Sequence, residues 1–127
     1  GVPGLEKYHG SDVFLTEALT REALKALDVP IKKNKPFFLY MSHYAVHIPY
    51  APDRRFVQKY LDDGLSQKES EYAALVEGMD KSLGDIMDYL QEKNIEKNTI
   101  IIFLSDNGGF SMAPRSGEAF THNRPLK

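Results

Sequence analysis

Apolar residues recur at helical spacing in two stretches of the chain. The first stretch predicts a helix near residues 14–28, and its apolar members are Phe14, Leu15, Ala18, Leu19, Ala23, Leu24 and Leu27. The second predicts a helix of about seven turns, and its apolar members are Tyr72, Leu75, Val76, Met79, Leu83, Ile86, Met87 and Leu90. Ser66 and Glu69 form a capping box before this stripe, and Asn94 suits the left-handed residue after it.

Two short apolar runs have the character of strands. Residues 37–41 are apolar and aromatic, and residues 100–104 are mostly β-branched and uncharged. A short helix is expected over residues 53–61, closed by the Asp62-Asp63-Gly64 turn. The order helix, strand, short helix, long helix, strand predicts an α/β fold with a mostly parallel sheet flanked by helices. Two strands cannot form such a sheet alone, which indicates that the chain is a fragment.

Composition narrows the classes of function. Sixteen basic and eighteen acidic residues give a net charge of -2 and no broad basic field, which argues against a nucleic-acid partner. The absence of cysteine excludes a disulfide, a thiolate zinc site and a cysteine nucleophile within this segment. No apolar run approaches the roughly 18 residues that span a membrane, and residues 1–10 lack the pattern of an export signal.

A group of metal-ligand type follows the second predicted strand. Asp106 and Asn107 are succeeded by Gly108 and Gly109, at the strand end where α/β sheets place their ligands. Carboxylate and amide oxygens suit calcium or magnesium, and the glycines permit a sharp turn. The same residues are also common in tight turns that bind no metal. A hard cation also requires six or more oxygen ligands, and this segment offers only two. On pattern alone, both the turn and the metal interpretation stay open.

His47 is the candidate for proton donation or anion binding. It lies in an aperiodic segment after the first predicted strand, and parallel strands would bring it near Asp106 and Asn107. The alternative is a histidine satisfied by a backbone carbonyl. His43 and His122 are expected to be packing or supporting residues, and Asp80 a solvated or capping carboxylate.

Four motifs in order carry a family resemblance. They are Lys-Pro-Phe-Phe-Leu-Tyr at 35–40, His-Ile-Pro at 47–49, Ser-Asp-Asn-Gly-Gly at 105–109 and Asn-Arg-Pro-Leu at 123–126. Together they resemble the sulfatase family over about residues 14–127. The resemblance implies that residues 1–127 are a central segment of a catalytic domain, which is incomplete in this chain and has an alkaline-phosphatase-like α/β fold.

The resemblance also implies site residues. In that family the matching aspartate and asparagine bind calcium, which carries over to Asp106 and Asn107, and the matching histidine contacts the sulfate, which carries over to His47. The nucleophile is a formylglycine made from a cysteine or serine in a CxPSR or SxPSR motif, and none is assigned in this chain. Residues 111–115 (SMAPR) only superficially resemble that motif, because they follow the Asp-Asn-Gly stretch instead of preceding it.

The implied activity is hydrolysis of sulfate esters, on a sulfated carbohydrate or an aryl sulfate, by an exported protein. The expected partners are that substrate and the rest of the catalytic domain, and the fragment alone is expected to be inactive. Two alternatives stay open: a phosphatase or phosphodiesterase of the same superfamily, and an inactive calcium-binding homologue.

Overall fold

The computed structural model describes residues 2–47, 51–109 and 125, and this part of the chain is helical. Helix α1 spans Leu15–Lys32, α2 spans Arg54–Asp62 and α3 spans Gln67–Glu92, with single 3-10 turns at Glu6–Tyr8 and Glu96–Asn98. Helix α3 packs against both α1 and α2. No helix in the described ranges combines the length and apolarity needed to cross a membrane.

The ends of α3 follow the sequence signals. The Ser66 Oγ accepts a hydrogen bond from the Glu69 backbone N–H at 3.4 Å, and the Ser66 N–H donates to Glu69 Oε2 at 3.0 Å, which completes the capping box. Asn94 has φ 57°, and the Ile95 N–H donates to the Leu90 carbonyl at 3.0 Å. The predicted start and stop of this helix are both confirmed.

Helix α1 is longer than the predicted span of residues 14–28. It continues to Lys32 and includes Pro30 in its last turn. Proline gives up one backbone donor there, but its carbonyl accepts from the Lys33 and Lys35 N–H groups at 3.1 and 2.9 Å. These bonds close the helix end before Asn34, which takes a left-handed φ of 49°.

Small side chains form the contact face of α3. Its buried residues include four at four-residue intervals: Ser70, Ala74, Gly78 and Ser82. On α1 the buried positions include Thr16, Thr20, Ala23 and Leu27. In contrast, Val76 and Met87 of the predicted apolar stripe are 41% and 50% exposed. The buried face of α3 therefore combines these small residues with Leu75 and Leu90, and only part of the large apolar stripe lies in the core.

The expectation of an α/β fold with a parallel sheet is wrong for the part of the chain that the structure describes, which contains no strand. Residues 37–41 and 100–104 have no regular secondary structure and no strand partner among the described residues. In the first run Phe38 and Tyr40 are 91% and 80% exposed, while Phe37, Leu39 and Met41 are half-buried. All five residues of the second run are exposed. A strand requires a neighbour for its backbone donors and acceptors, and neither run lies beside one here.

Candidate functional site

Asp106 and Asn107 lie in an exposed bend directly after the run 100–104. The Ser105 hydroxyl donates to the Asn107 carbonyl at 2.5 Å, and the Asn107 side-chain amide donates to the Gly108 carbonyl at 2.8 Å. These bonds use the amide nitrogen of Asn107 and leave its side-chain oxygen available as a ligand. The carboxylate and this oxygen form a chemically suitable part of a calcium site.

The described residues do not complete a metal centre. They hold no group of three or more histidine, cysteine, aspartate or glutamate side chains placed to bind one ion. Two hard oxygens fall short of the six or more that calcium takes. The donor set therefore fits a contribution to a larger site, and the role of Asp106 and Asn107 stays a prediction.

His47 is exposed, and its backbone N–H donates to the Tyr44 carbonyl at 3.0 Å. This bond closes a turn directly after residues 37–41. The expectation that His47 lies near Asp106 depends on a shared edge of a parallel sheet. That edge is absent from the described ranges, and their proximity stays a prediction. Ile48 and Pro49 of the His-Ile-Pro motif lie outside the described residues.

His43 lies at the end of the first apolar run, and its predicted packing or supporting role stays a prediction. It is half-buried, its Nδ1 is enclosed with no hydrogen-bond partner among the described residues, and burial lowers its pKa. A lowered pKa keeps the imidazole neutral at pH 7. His43 also borders an open cleft of about 470 Å³, lined by Val2, Leu19, Tyr40, Met41, Ser42, His43 and Tyr44.

The remaining titratable candidates that the structure describes lie on the exposed surface. His9 is exposed after the first 3-10 turn, and Asp80 is exposed on α3, as its assignment to a solvated carboxylate requires. His122 and the SMAPR stretch at 111–115 lie outside the described residues, as does most of the Asn-Arg-Pro-Leu motif.

A buried aspartate at the start of α2, paired with a partly exposed arginine, was missed by sequence reasoning. Asp53, only 2% exposed, caps α2 by accepting from the Arg55 backbone N–H at 3.1 Å. The Arg55 side chain also binds this carboxylate, through Nε at 2.9 Å and Nη2 at 2.6 Å. This pairing is the main cause that raises the pKa of Arg55. An Asp-x-Arg at a helix start was the available signal.

The ion pair continues into the other two helices. Arg55 lies 3.3 Å from Glu17 of α1, and Lys81 of α3 lies 3.6 Å from the same carboxylate. Burial alone would raise the pKa of Glu17. The hydrogen bond from Arg21 and the charges of Lys81 and Arg55 outweigh burial, and the pKa of Glu17 is lowered. One charged network therefore joins α1, α2 and α3.

Comparison with known proteins adds the family context. The family model described as Sulfatase matches residues 5–124. A sulfatase from Formosa agariphila is 34% identical over 93% of this chain, and the mouse N-acetylgalactosamine-6-sulfatase is 36% identical over 81%. An N-acetylgalactosamine-6-O-sulfatase from Bacteroides thetaiotaomicron is 40% identical over 60%. The alignments span 22%, 19% and 14% of these relatives, about a fifth of their length or less.

Proposed function

Because this chain belongs to the sulfatase family, we propose that the protein hydrolyses sulfate esters and that this chain supplies part of the metal and sulfate site. The observation that carries the proposal is the family match over residues 5–124, which includes His47, Asp106 and Asn107. The match to a sulfatase model favours this reaction over the phosphatase alternative. Membership alone does not establish activity, so an inactive calcium-binding homologue is the outcome that experiment has to exclude.

The chemistry of the reaction assigns a task to each candidate residue. A sulfate ester carries its charge on non-bridging oxygens, and a bound calcium ion would stabilise that charge as a Lewis acid. Asp106 and Asn107 would contribute one carboxylate and one amide oxygen to hold that ion. His47 would donate a hydrogen bond to a sulfate oxygen or a proton to the departing alcohol oxygen. The formylglycine that attacks sulfur is expected outside this chain.

The proposed substrate is a sulfated carbohydrate. Support comes from the names of two relatives, the mouse and Bacteroides thetaiotaomicron proteins, which are both N-acetylgalactosamine-6-sulfatases. Export from the cytosol is proposed on family analogy only. The isolated 127-residue chain is expected to show no turnover, because it contributes too few of the required groups.

The test uses the full-length protein that carries this chain, assayed for sulfate release from an aryl sulfate and from N-acetylgalactosamine 6-sulfate. We expect activity that chelation removes and calcium restores. Asp106→Ala should abolish it, and His47→Ala should lower kcat by about 10²–10⁴-fold. His9→Ala is the matched control, since His9 is exposed and has no proposed role.

Three other outcomes would contradict the proposal. Release of phosphate from an aryl phosphate, without sulfate release, would identify a phosphatase. Calcium binding without any turnover would identify an inactive homologue. Full activity in His47→Ala would remove that residue from the mechanism.

A further inference from the structure

Asn107 is the only asparagine of the chain that precedes a glycine. The other asparagines precede Lys35, Ile95, Thr99 and Arg124. An asparagine can lose its side-chain amide without an enzyme when the backbone nitrogen of the next residue attacks the side-chain carbon Cγ and closes a five-membered ring. A side chain on that next residue hinders the ring closure, and glycine has none. The sequence therefore makes Asn107 the asparagine with the least hindered reaction.

The surroundings of Asn107 leave both reacting groups accessible. Residues 105–108 are all exposed, in a bend without regular secondary structure. No acceptor for the Gly108 N–H lies among the described residues. No helix or sheet hydrogen bond therefore has to break before this nitrogen can act as a nucleophile. The Asn107 side chain is already turned towards residue 108, since its Nδ2 donates to the Gly108 carbonyl at 2.8 Å.

Ser105 is placed to favour the attack. The Gly108 N–H belongs to the same peptide group as the Asn107 carbonyl, which accepts a hydrogen bond from the Ser105 hydroxyl at 2.5 Å. When the nitrogen loses its proton, peptide resonance shares the negative charge with that carbonyl oxygen. A hydrogen bond to a charged oxygen is stronger than one to a neutral oxygen. The Ser105 hydroxyl therefore stabilises the attacking form of the peptide. The neighbouring Asp106 carboxylate opposes this charge, but it is exposed and screened by water.

We propose that Asn107 is a site of spontaneous deamidation, which the Ser105 hydroxyl promotes. The Gly108 nitrogen forms a bond to Cγ of Asn107, and the bond from Cγ to Nδ2 breaks. Ammonia leaves with Nδ2 and with the proton that the Gly108 nitrogen gave up. Water then opens the cyclic imide at either of its carbonyl groups, which gives aspartate or isoaspartate at position 107. Water is the only co-reactant.

The reaction changes one of the two proposed calcium ligands of this chain. This consequence rests on the proposed function of Asn107, whereas the deamidation itself does not. Aspartate keeps the side-chain length and adds a negative charge. Isoaspartate moves one carbon from the side chain into the backbone, which displaces the ligand oxygen relative to Asp106. Because calcium binding depends on the placement of several oxygens, we expect the isoaspartate product to impair the site.

The experiment incubates the 127-residue chain in neutral buffer and follows each asparagine by peptide mapping with mass spectrometry. Deamidation raises the mass of a peptide, and chromatography separates its aspartate and isoaspartate forms. We expect Asn107 to convert while Asn94 stays intact. Asn94 is the internal control because it is exposed as well, but the β-branched Ile95 follows it and donates its backbone N–H to the Leu90 carbonyl at 3.0 Å.

Substitutions in the bend test the assigned roles. Ser105→Ala should slow the conversion of Asn107 by about two- to tenfold, the range that one hydrogen bond contributes. This difference should vanish in urea, where the bend is lost. Gly108→Ala should leave Asn107 intact over the time in which the unmodified chain converts, because a methyl group then adjoins the attacking nitrogen. Ser42→Ala is the matched control, since Ser42 is an exposed serine outside the bend.

An Asn107 that converts no faster than Asn94 would overturn the inference. Equal rates in Ser105→Ala and in the unmodified chain would overturn the part assigned to Ser105, and so would a slowing that persists in urea.

Sulfate release by the full-length protein separates this inference from the proposed function. In an active protein, the activity should fall as isoaspartate accumulates at position 107, and activity that survives full conversion would contradict the consequence for the site. If the fresh protein is inactive but Asn107 converts, the proposed function fails and the deamidation stands. If the protein is active and Asn107 stays intact in both the full-length protein and the 127-residue chain, the deamidation fails and the function stands.

Discussion

At the scale of single residues, the contact between α1 and α3 depends on a pair of buried hydroxyl groups. Thr20 and Ser82 are each 2% exposed, and their oxygens lie 2.6 Å apart. The Thr20 hydroxyl also lies within hydrogen-bond distance of the Thr16 carbonyl, at 2.8 Å, so it can donate to that carbonyl while accepting from Ser82. Each hydroxyl thus has a partner in a place that water does not reach.

Thr20→Val retains the side-chain volume but leaves the Ser82 hydroxyl buried without this partner. The free energy of unfolding should fall by about 1–3 kcal/mol, which is the cost of an unsatisfied buried polar group. Urea denaturation followed by circular dichroism measures the change.

The double variant Thr20→Val, Ser82→Ala is the control for this interpretation. Removing both hydroxyls removes the unsatisfied group, so the double variant should lose less stability than the sum of the two single variants. Strict additivity would mean that the two hydroxyls do not interact.

A second residue pair, Tyr89 of α3 and Asp28 of α1, should make the folded state lose stability at alkaline pH. Burial, followed by the hydrogen bond to Asp28, raises the pKa of Tyr89 to about 12 from its ordinary 10.0. The folded chain therefore favours the neutral phenol. The resulting stability is fully present below pH 10 and should be lost as the pH rises from 10 towards 12. Tyrosinate absorbance during a pH titration measures this ionisation.

Tyr89→Phe is the control among the seven tyrosines of the chain. The substitution should remove the tyrosine ionisation that has the highest pKa and is linked to folding. The tyrosine ionisations at lower pH should remain. If the titration of the variant keeps that step, the late-ionising phenol belongs to another tyrosine.

At the scale of elements, the start of α3 depends on its capping box. Ser66→Ala removes the side-chain acceptor for the Glu69 N–H and the partner of the Glu69 carboxylate, at 2.7 Å. Stability should fall by about 0.5–2 kcal/mol. Thermal and urea unfolding measure it, and Gln67→Ala, an exposed position in the same turn, should change stability much less. Equal effects of the two substitutions would contradict a specific role for the cap.

The same hydrogen bonds from Ser66 lower the pKa of Glu69. Their contribution is present above the ordinary pKa of a glutamate and should disappear as the pH falls through the lowered value. The difference in stability between the unmodified chain and Ser66→Ala should therefore shrink in acid. A difference that does not depend on pH would assign the effect to the backbone cap alone.

The boundaries of α3 were predictable because their signals are local. Ser66, Glu69 and Asn94 act on backbone groups within a few residues, and the structure has them as expected. The buried hydroxyls of Thr20 and Ser82 carry no such signal. Their environment is set by packing between elements distant in sequence, and a threonine or a serine is usually a surface residue. Periodicity of large apolar residues therefore located α3 but not its contact face.

The predicted strands are the opposite case. Their local sequence signal is strong, but the described residues provide no neighbouring strand with which they could pair. Residues 100–104 have strong β-propensity, yet propensity mostly measures how well side chains pack on a sheet. Without a neighbouring strand in the described ranges, these residues form no regular secondary structure and are exposed. The predicted proximity of His47 to Asp106 and Asn107 depended on the same sheet. The sequence therefore indicated candidate residues but could not give their relative positions.

At the scale of the whole molecule, the run 100–104 is an exposed apolar surface whose backbone groups pair with no strand among the described residues. Ile102 and Leu104 are 75% and 82% exposed. Such a segment pairs readily with another chain, and we expect the isolated chain to self-associate. Ile102→Lys should weaken association by about 10–100-fold, from the loss of one buried apolar side chain of about 1.5–3 kcal/mol. Sedimentation equilibrium measures the dissociation constant.

Val29→Lys is the control for this prediction, because Val29 is an apolar residue of α1 that is 57% exposed and lies outside the run. It should leave the association constant nearly unchanged. A monomeric unmodified chain at high concentration would contradict the expectation directly.

The four-residue interval of small side chains on α3 also determines how the three helices can be arranged. An α-helix turns about 100° per residue, so residues four apart are offset by about 40° around its axis. Ser70, Ala74, Gly78 and Ser82 therefore trace a shallow spiral and not a straight line. Gly78 faces Asp53 at the start of α2, whereas Ser82, one step further around, meets Thr20 of α1. A single helix can therefore contact two neighbouring helices that approach from different directions, each through a different part of the same row of small residues.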